Sequence, residues 1–366
     1  MKRAIIILDP DVRINQQIVL GFCEELQREE DWDIHVLPRD DMAIERLETR
    51  IRAIAPSVIA VRAPSRKCWQ SLLSTGLPVA IVADAELEAF EGTAVLPDRA
   101  AIGEMAANYL LGQGFANIAC VGFERPIPSV RETAFCSTVE ACGVQVHRFH
   151  LQGTVHSDHP FGEYGNPEAL DEWLCELPKP CAIFAHSDQP GAYTVRACAR
   201  SGIRVPEEVS VLGVDDDPLY CNTVTPTLAS IHVPNARIGV EAARLLLDWK
   251  PGRRVVNVPP TTVIERPSCR FAQRGDPLVD KALKYLRTEV ARGVKVRDLQ
   301  ALTGLSPHQL VYRFNLVTGH TPMDMILRHR ISVAKQLLAE TSLPIATVGT
   351  KAGFNSAAQF FVAFRK

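Results

Sequence analysis

The stretch VRDLQALTGLSPHQLVYRFNLVTG, Val296 to Gly319, decides how this chain is read. Val296, Leu299 and Leu302 recur at helical spacing, Gly304 supplies the permissive backbone of a turn, and Leu305 fills the corner. Ser306 then reads as an N-cap with Pro307 at the first helical position, and Leu310, Phe314 and Val317 carry a second apolar stripe. Two short helices across a tight turn make a helix-turn-helix, with Ser306 to Thr318 as the recognition helix. The competing reading is an αα-hairpin in an ordinary bundle.

Downstream, the pattern repeats. Pro322 to Glu340 is an amphipathic helix of about 19 residues, and Ile345 to Lys366 again gives a short helix, a turn at Gly353-Phe354, Ser356 as N-cap, and Phe360 and Phe364 four apart. The joining helix spans roughly 28 Å at 1.5 Å per residue, near the roughly 34 Å between successive major grooves on one face of DNA. Charge favours the same reading. Residues 276–366 carry 13 Lys and Arg against 6 Asp and Glu, whereas residues 1–275 carry 27 against 36, an asymmetry hidden by the net charge of −2. A basic C-terminal domain can approach phosphates, and an acidic sensor is repelled from them.

Upstream, Pro277 to Arg292 is a helix, and Arg266 to Pro277 is polar and broken by Gly and Pro, the composition of a linker. Before it, buried strands alternate with amphipathic helices. The strands are Ala4 to Leu8, Asp33 to Leu37, Val58 to Val61, Val79 to Val82, Thr93 to Leu96, Ile118 to Gly122, Val144 to Leu151, Ala182 to Ala185 and Val209 to Val214. Helices fall at Asn15 to Glu30, Met42 to Ala53, Arg66 to Thr75, Arg99 to Gly112, Val130 to Cys142, Pro167 to Glu176, Pro190 to Ser201 and Pro234 to Trp249. This βαβ repetition predicts doubly wound parallel sheets, and its strands are too many for one sheet, so two α/β lobes follow, with a ligand expected in the cleft between them. Val255 to Glu265 reads as a last strand, interrupted by Pro259-Pro260 and therefore at an edge.

At 366 residues, with 46% apolar and 22% charged residues, the chain is expected to form two or three soluble globular domains. The apolar run Ala4 to Leu8 is too short for a signal-peptide core or a membrane span, which points to the cytoplasm. Ten cysteines show no C-x-x-C pair and no matching His spacing, so buried, reduced thiols are expected rather than a disulfide scaffold or a zinc site.

With these residues in hand, two resemblances can be stated. Residues 276–366 resemble the DNA-binding domain of the AraC/XylS family through G-L-S-x-x-x-L-x-x-R-F-x-x-x-x-G at Gly304 to Gly319, Arg330-Ile331 and Ala334 to Leu338 on the joining helix, and A-G-F-x-S at Ala352 to Ser356. Residues 1–270 resemble the sugar-sensing domain of the LacI/GalR family through RETAF at Arg131 to Phe135, HSDQPGA from His186, and SGIRVPEEVSVLGVDDDP at Ser201 to Pro218. The resemblances imply a two-lobed, periplasmic-binding-protein-like sensor (1–270), a linker (271–276) and an all-α tandem helix-turn-helix domain (277–366). LacI-type repressors carry their DNA-binding headpiece at the N-terminus, and this chain starts on a sensor strand. The AraC-type second recognition helix continues into a turn and a last short helix. Here it reads as truncated at Lys366, with Ala357, Ala358, Phe361 and Val362 at its usually polar positions.

Sugar hydroxyls call for planar bidentate groups with an aromatic face against the ring. Asp9, Arg131, Asp188 and Asp215 at strand ends or helix starts suit that need, and the resemblance places the last three at effector-contacting positions; Ser187 and Tyr164 join them. The alternative for each carboxylate or guanidinium is a structural ion pair. Asp215-Asp216-Asp217 could hold Mg²⁺, but a strand-end Asp in a sugar-sensor pattern needs no metal, and none is expected. Gly112-Gln113-Gly114 follows a helix, the reverse of a phosphate loop. Ser187 has no G-x-S-x-G setting. On the DNA side, Ser306, His308, Gln309, Val311, Tyr312 and Arg313 span the first recognition helix, with His308 and Tyr312 foremost as base readers, and Ser356 heads the second. Arg328, Arg330, Lys335 and Lys351 read as phosphate contacts or solvated charges.

The expectation is a cytoplasmic, dimeric, sugar-responsive activator of pentose (xylose-type) catabolic genes. It would bind double-stranded operator half-sites and RNA polymerase, with a pentose such as D-xylose as effector, no other cofactor and no membrane. An α/β sugar-processing enzyme with a helical oligomerisation appendage is the alternative, and it lacks a recognisable nucleophile, base pair or metal spacing. A transport-type binding protein would need a signal peptide and no basic helical domain.

Overall fold

In a computed structural model of the chain, the structure describes residues 1–28, 31–38, 43–62, 65–83, 92–113, 115–124, 129–152, 167–269, 276–318 and 320–365. Glu30, Met42, Gly114, Tyr164 and Gly319 lie outside the described residues, as does most of the expected linker. The strands are β1 (Lys2–Ile7), β2 (Trp32–Leu37), β3 (Val58–Arg62), β4 (Val79–Val82), β5 (Thr93–Pro97), β6 (Asn117–Phe123), β7 (Val146–Leu151), β8 (Cys181–Ala185), β9 (Val209–Val214), β10 (Ala229–His232), β11 (Arg254–Val258) and β12 (Thr262–Ile264). The α/β helices are α1 (Arg13–Leu26), α2 (Ile44–Ile54), α3 (Arg66–Ser74), α4 (Arg99–Gly112), α5 (Val130–Ala141), α6 (Pro167–Glu176), α7 (Asp188–Arg200), α8 (Pro218–Cys221) and α9 (Asn235–Leu247). The C-terminal helices are α10 (Pro277–Glu289), α11 (Val296–Thr303), α12 (Pro307–Thr318), α13 (Pro322–Glu340), α14 (Ile345–Lys351) and α15 (Ala357–Arg365).

The strands form two six-stranded sheets, ordered β11-β5-β4-β3-β1-β2 and β12-β10-β9-β8-β6-β7. The pairs are parallel except β10 with β12. Within each sheet the order reverses beside the lobe's first strand, between β1 and β3 or between β6 and β8, the switch point at which open α/β sheets bind ligands. Alternation along β1 shows why the strand must be apolar throughout. Ala4, Ile6 and Leu8 enter a core shared with Ile18, Phe22 and Ile238 of α1 and α9, while Ile5 and Ile7 enter another shared with Leu47 and Leu72 of α2 and α3.

The two lobes are not consecutive in sequence. One compact unit comprises Met1–Ile102 with Val233–Pro260, the other Gly103–His232 with Thr261–Lys366. The expected last strand Val255 to Glu265 is therefore two strands: β11 completes the first sheet beside β5, and β12 pairs antiparallel with β10 in the second. Pro259-Pro260, which cannot donate to a ladder, falls at the crossing, and both strands do lie at edges. The start of the expected linker is also reassigned. Arg266 donates to Leu228 O at 3.1 Å, and the fully buried Ser268 Oγ donates to Val211 O at 2.7 Å and accepts from Ala229 N at 2.8 Å.

Within the second unit, the helical part has two small cores. Val279, Leu286, Leu299, Leu310, Phe314 and Ile326 form one, and Ala334, Val348, Ala352, Phe354 and Phe360 the other. The helix α13 serves both, Ile326 near its start and Ala334 further along. Thr321 and Asp324 close its N-terminus as a capping box. In the same unit α13 meets β12 of the second lobe: Thr262 Oγ1 and Ser332 Oγ share a hydrogen bond of 2.6 Å.

Candidate functional site

The end of β9 carries the most unusual backbone of the second lobe. Asp215 and Asp216 are consecutive non-glycine residues with φ of 102° and 54°, conformations that cost free energy and persist only where surrounding structure enforces them. The hydrogen bonds show what enforces them. Asp215 N donates to Ile231 O at 2.9 Å and Asp216 N to Ser230 Oγ at 3.0 Å. Asp217 N donates to Asp188 Oδ2 at 2.7 Å, and Ser230 Oγ donates to Asp188 Oδ1 at 2.6 Å. Gly213 is required by the same arrangement, since a Cβ there would stand 2.3 Å from Asp188 Oδ1.

Asp188 is thus 1% exposed with both carboxylate oxygens occupied inside the protein. Burial, reinforced by the Asp215 carboxylate, pushes it well above the usual carboxylate range, against the hydrogen bonds from Ser230 and Asp217. It organises the turn. The acidic triplet divides likewise: Asp217 Oδ1 accepts from Leu219 N at 2.9 Å as the cap of α8, and Asp216 accepts from Arg266 Nη2 at 2.6 Å and faces His232 Nδ1 at 3.4 Å. Burial opposes the charge on Asp216, but His232 and Arg266 outweigh it and hold the carboxyl below its usual value. Asp215, half-buried like Asp216, completes the triplet at the end of β9.

Across the switch point, Arg131 at the start of α5 is 7% exposed and donates through Nη1 to His186 O, at the end of β8. Ser129 Oγ lies 3.0 Å from His186 Nε2, and the His186 ring meets Phe123 edge-on at 6.0 Å. Ser129 and Phe123 gather here without having been singled out from the sequence, whereas His186 is read there as the start of the HSDQPGA motif at a strand end, though not as a contact. Ser187 is the N-cap residue of α7.

In the first lobe, Asp9 follows β1, and its carbonyl accepts from Asn15 Nδ2 at 2.8 Å. Asn15 is fully buried and its Oδ1 accepts from Arg62 at the end of β3, so this lobe's switch point also gathers an acid, an amide and a guanidinium. Asn15 and Arg62 are further additions, hidden in sequence because neither sits in a motif.

In the helical part, Gly304 at φ 70° ends α11, as the turn requires. On α12 the structure sorts the expected base readers. Gln309 N donates to Ser306 Oγ at 3.3 Å and Ser306 N to Gln309 Oε1 at 3.2 Å, a reciprocal cap that occupies both side chains. Arg313 Nη1 donates to Asp276 Oδ2 at 2.8 Å, tying α12 to the cap of α10. His308, Val311 and Tyr312 are exposed, Tyr312 at 63%. Ser356 caps α15, accepting from Gln359 N at 3.2 Å, and the exposed face of α15 presents Gln359 beside Phe361, Val362 and Phe364. Arg328, Lys335 and Lys351 are exposed as expected. Arg330 is a correction: it is 7% exposed, donates to Val294 O at 2.7 Å and stacks over Phe354 at 5.7 Å, so it joins the two helix-turn-helix units instead of facing solvent.

Residues 107–269 match the periplasmic binding protein-like domain family, and residues 299–366 match a helix-turn-helix domain family. The xylose operon regulatory protein of Haemophilus influenzae is 27% identical over 365 residues, 96% of this chain and 92% of that protein. Its namesake in Escherichia coli K12 is 32% identical over 202 residues, 54% of this chain and 51% of that protein. Among solved structures, a xylose-binding transcription activator aligns over 100% of this chain and 95% of its own with TM-score 0.62 and 26% identity. A LacI family transcriptional regulator from Enterococcus faecium, solved with bound ribose, aligns over 74% of this chain and 100% of its own with TM-score 0.58 and 22% identity, a likeness of fold. The two α/β lobes have the periplasmic-binding-protein fold, and a helical DNA-binding domain follows them. Among the described residues no helix is long and apolar enough to cross a membrane.

Proposed function

We infer that this chain is a sugar-responsive transcription regulator of the xylose operon type, with residues 1–270 as sensor and 277–366 as DNA-binding domain. The observation that carries the reading is a continuous set of contacts from the strained strand-end turn to the helices. Asp216, next to Asp215, faces His232, and His232 Nε2 lies at ion-pair distance, 3.2 Å, from Glu340, the last residue of α13. A ligand that binds Asp215 in one arrangement of that turn more tightly than in another therefore biases the helix joining the two DNA-binding units.

The effector proposed is a pentose such as D-xylose. Asp215, Arg131, Ser187 and His186 would meet its hydroxyls, with Asp188 holding the turn from below and Tyr164 supplying an aromatic face. Asp9, following β1, is proposed as a further effector-binding residue. On DNA, His308 and Tyr312 would read base edges, with Val311 against a thymine methyl, while Ser306, Gln309, Arg313 and Ser356 fix the helices that present them. A cytoplasmic homodimer spanning direct-repeat half-sites and contacting RNA polymerase, so that sugar activates pentose catabolic genes, completes the proposal. The homologues named above are regulators, not enzymes.

The test is Asp215→Asn. Calorimetry with a panel of pentoses and hexoses should show a heat of binding for one pentose in the natural protein and none in the variant, with non-specific DNA binding unchanged. Equal affinity of variant and natural protein for every sugar would remove Asp215 from the site.

A further inference from the structure

Behind the effector turn, two strands and a helix assemble a second constellation. Glu132 and Cys136, four residues apart, share one face of α5. Strand β6 pairs with β7 in the register Cys120 with Arg148 and Gly122 with His150, so these four positions share one face of the sheet. The helix α5 lies over that face. Cys120 Sγ is 3.9 Å from Glu132 Oε1, and His150 Nε2 is 2.8 Å from the same oxygen. The donor atoms of Cys120, Glu132 and Cys136 all lie within 4.8 Å of one another. At Gly122 a Cβ would stand 3.0 Å from Glu132 Oε2 and 3.4 Å from His150 Cδ2, so the missing side chain leaves the acid and the imidazole room to converge. Both cysteines are buried, while His150 lines a surface depression together with Ser129 and Phe123.

We propose that Cys120, Glu132, Cys136 and His150 form a binding site for a borderline-soft divalent cation of the zinc class. Two thiolates, a carboxylate and an imidazole are a four-donor set of the kind zinc takes tetrahedrally, with donors roughly 2.0–2.3 Å from the ion and so about 3.3–3.8 Å apart; three of them already stand within 4.8 Å of one another, and His150, 2.8 Å from Glu132, would move in to complete the set. Arg148 Nε donates to Cys136 Sγ at 3.3 Å. The donor set would leave a net charge of −1 around a divalent ion, and this guanidinium offsets it from outside the coordination sphere. A hydrogen bond from Cys120 and the nearby Arg148 outweigh burial and bring Cys136 down to about 7, while the same sharing raises Cys120. Binding as two thiolates releases the thiol protons to solvent, and no redox change occurs. Spacing along the chain conceals the site, because its donors come from three elements and none lies in a C-x-x-C pair.

The test uses the full chain, kept reduced with a phosphine, stripped with chelator and titrated with Co²⁺. One equivalent should produce thiolate-to-metal charge-transfer bands and the d–d bands of tetrahedral cobalt, bleached by Zn²⁺. Cys136→Ser should lose the charge-transfer intensity, and His150→Ala, which removes a side chain 42% exposed and so leaves the core intact, should weaken uptake at least ~10-fold. The proposal is overturned if the natural protein shows no charge-transfer band. It is equally overturned if His150→Ala binds cobalt as the natural protein does, or if the reduced protein retains all its thiols as titratable in the presence of one equivalent of zinc. None of these readouts involves sugar or DNA, so the metal site stands or falls apart from the regulatory role.

Discussion

Asp188 shows how far a single residue can differ from its sequence reading. A strand-end acid in a sensor pattern suggests a ligand contact, and position alone cannot reveal that Ser230 and the Asp217 amide already occupy both oxygens. Its raised pKa has a definite sign in stability. A carboxyl lifted above its unfolded value contributes stability that is fully present below the unfolded value and is lost as pH rises through the folded one. Asn at this position keeps an acceptor for Asp217 N and can donate to Ser230 without ever charging. The melting temperature of Asp188→Asn minus that of the natural protein should therefore climb as pH is raised from about 5 to about 8. A flat or falling difference would mean that the buried carboxylate ionises without penalty. Arg131, by contrast, enters the reading through a family motif, RETAF, and in the structure it is 7% exposed and donates to His186 O. His186 was within reach of the same argument.

Elements were more legible than residues. Val79–Val82, Val209–Val214, Arg99–Gly112, Pro167–Glu176 and Pro322–Glu340 run as their patterns require, because apolar periodicity and capping residues are local signals. What the pattern of α12 could not show is which polar side chains are already engaged. Ser306 and Gln309 cap each other and Arg313 holds Asp276, which leaves His308 and Tyr312 as the exposed polar groups among those expected to read bases. Tyr312→Ala should thus leave folding unchanged and cost about 1 kcal/mol or more of preference for the operator over random DNA. Footprinting and competition at fixed salt measure this, and an unaltered preference would take the helix out of the reading role. On α15 the exposed Phe361 and Val362 offer no hydrogen bonds to bases, and among the described side chains of that helix Gln359 is the exposed polar group.

At the scale of the whole molecule, the second lobe and the helical domain form one compact unit, joined where β12 meets α13. Such a contact between distant segments leaves no periodic trace in sequence; nothing in His232 or Glu340 alone marks them as partners. Glu340→Gln removes the charge 3.2 Å from His232 while altering neither the sugar groups nor α12. Sugar and operator should each bind nearly as before, and the change in operator affinity caused by sugar, normally about 5- to 150-fold in such couplings, should shrink toward none. Fluorescence anisotropy of labelled operator with and without D-xylose reads this directly, and an intact response would show that the signal travels elsewhere. The interleaved lobes have a further consequence, for synthesis. When residue 232 has been made, the second sheet still awaits its edge strand β12, and the first still awaits both β11 and the cover of α9 on one face. During translation, therefore, neither lobe is finished when residue 232 is made, and a chain stalled there would leave the apolar face of Ala4, Ile6 and Ala60, which α9 covers, open to chaperones.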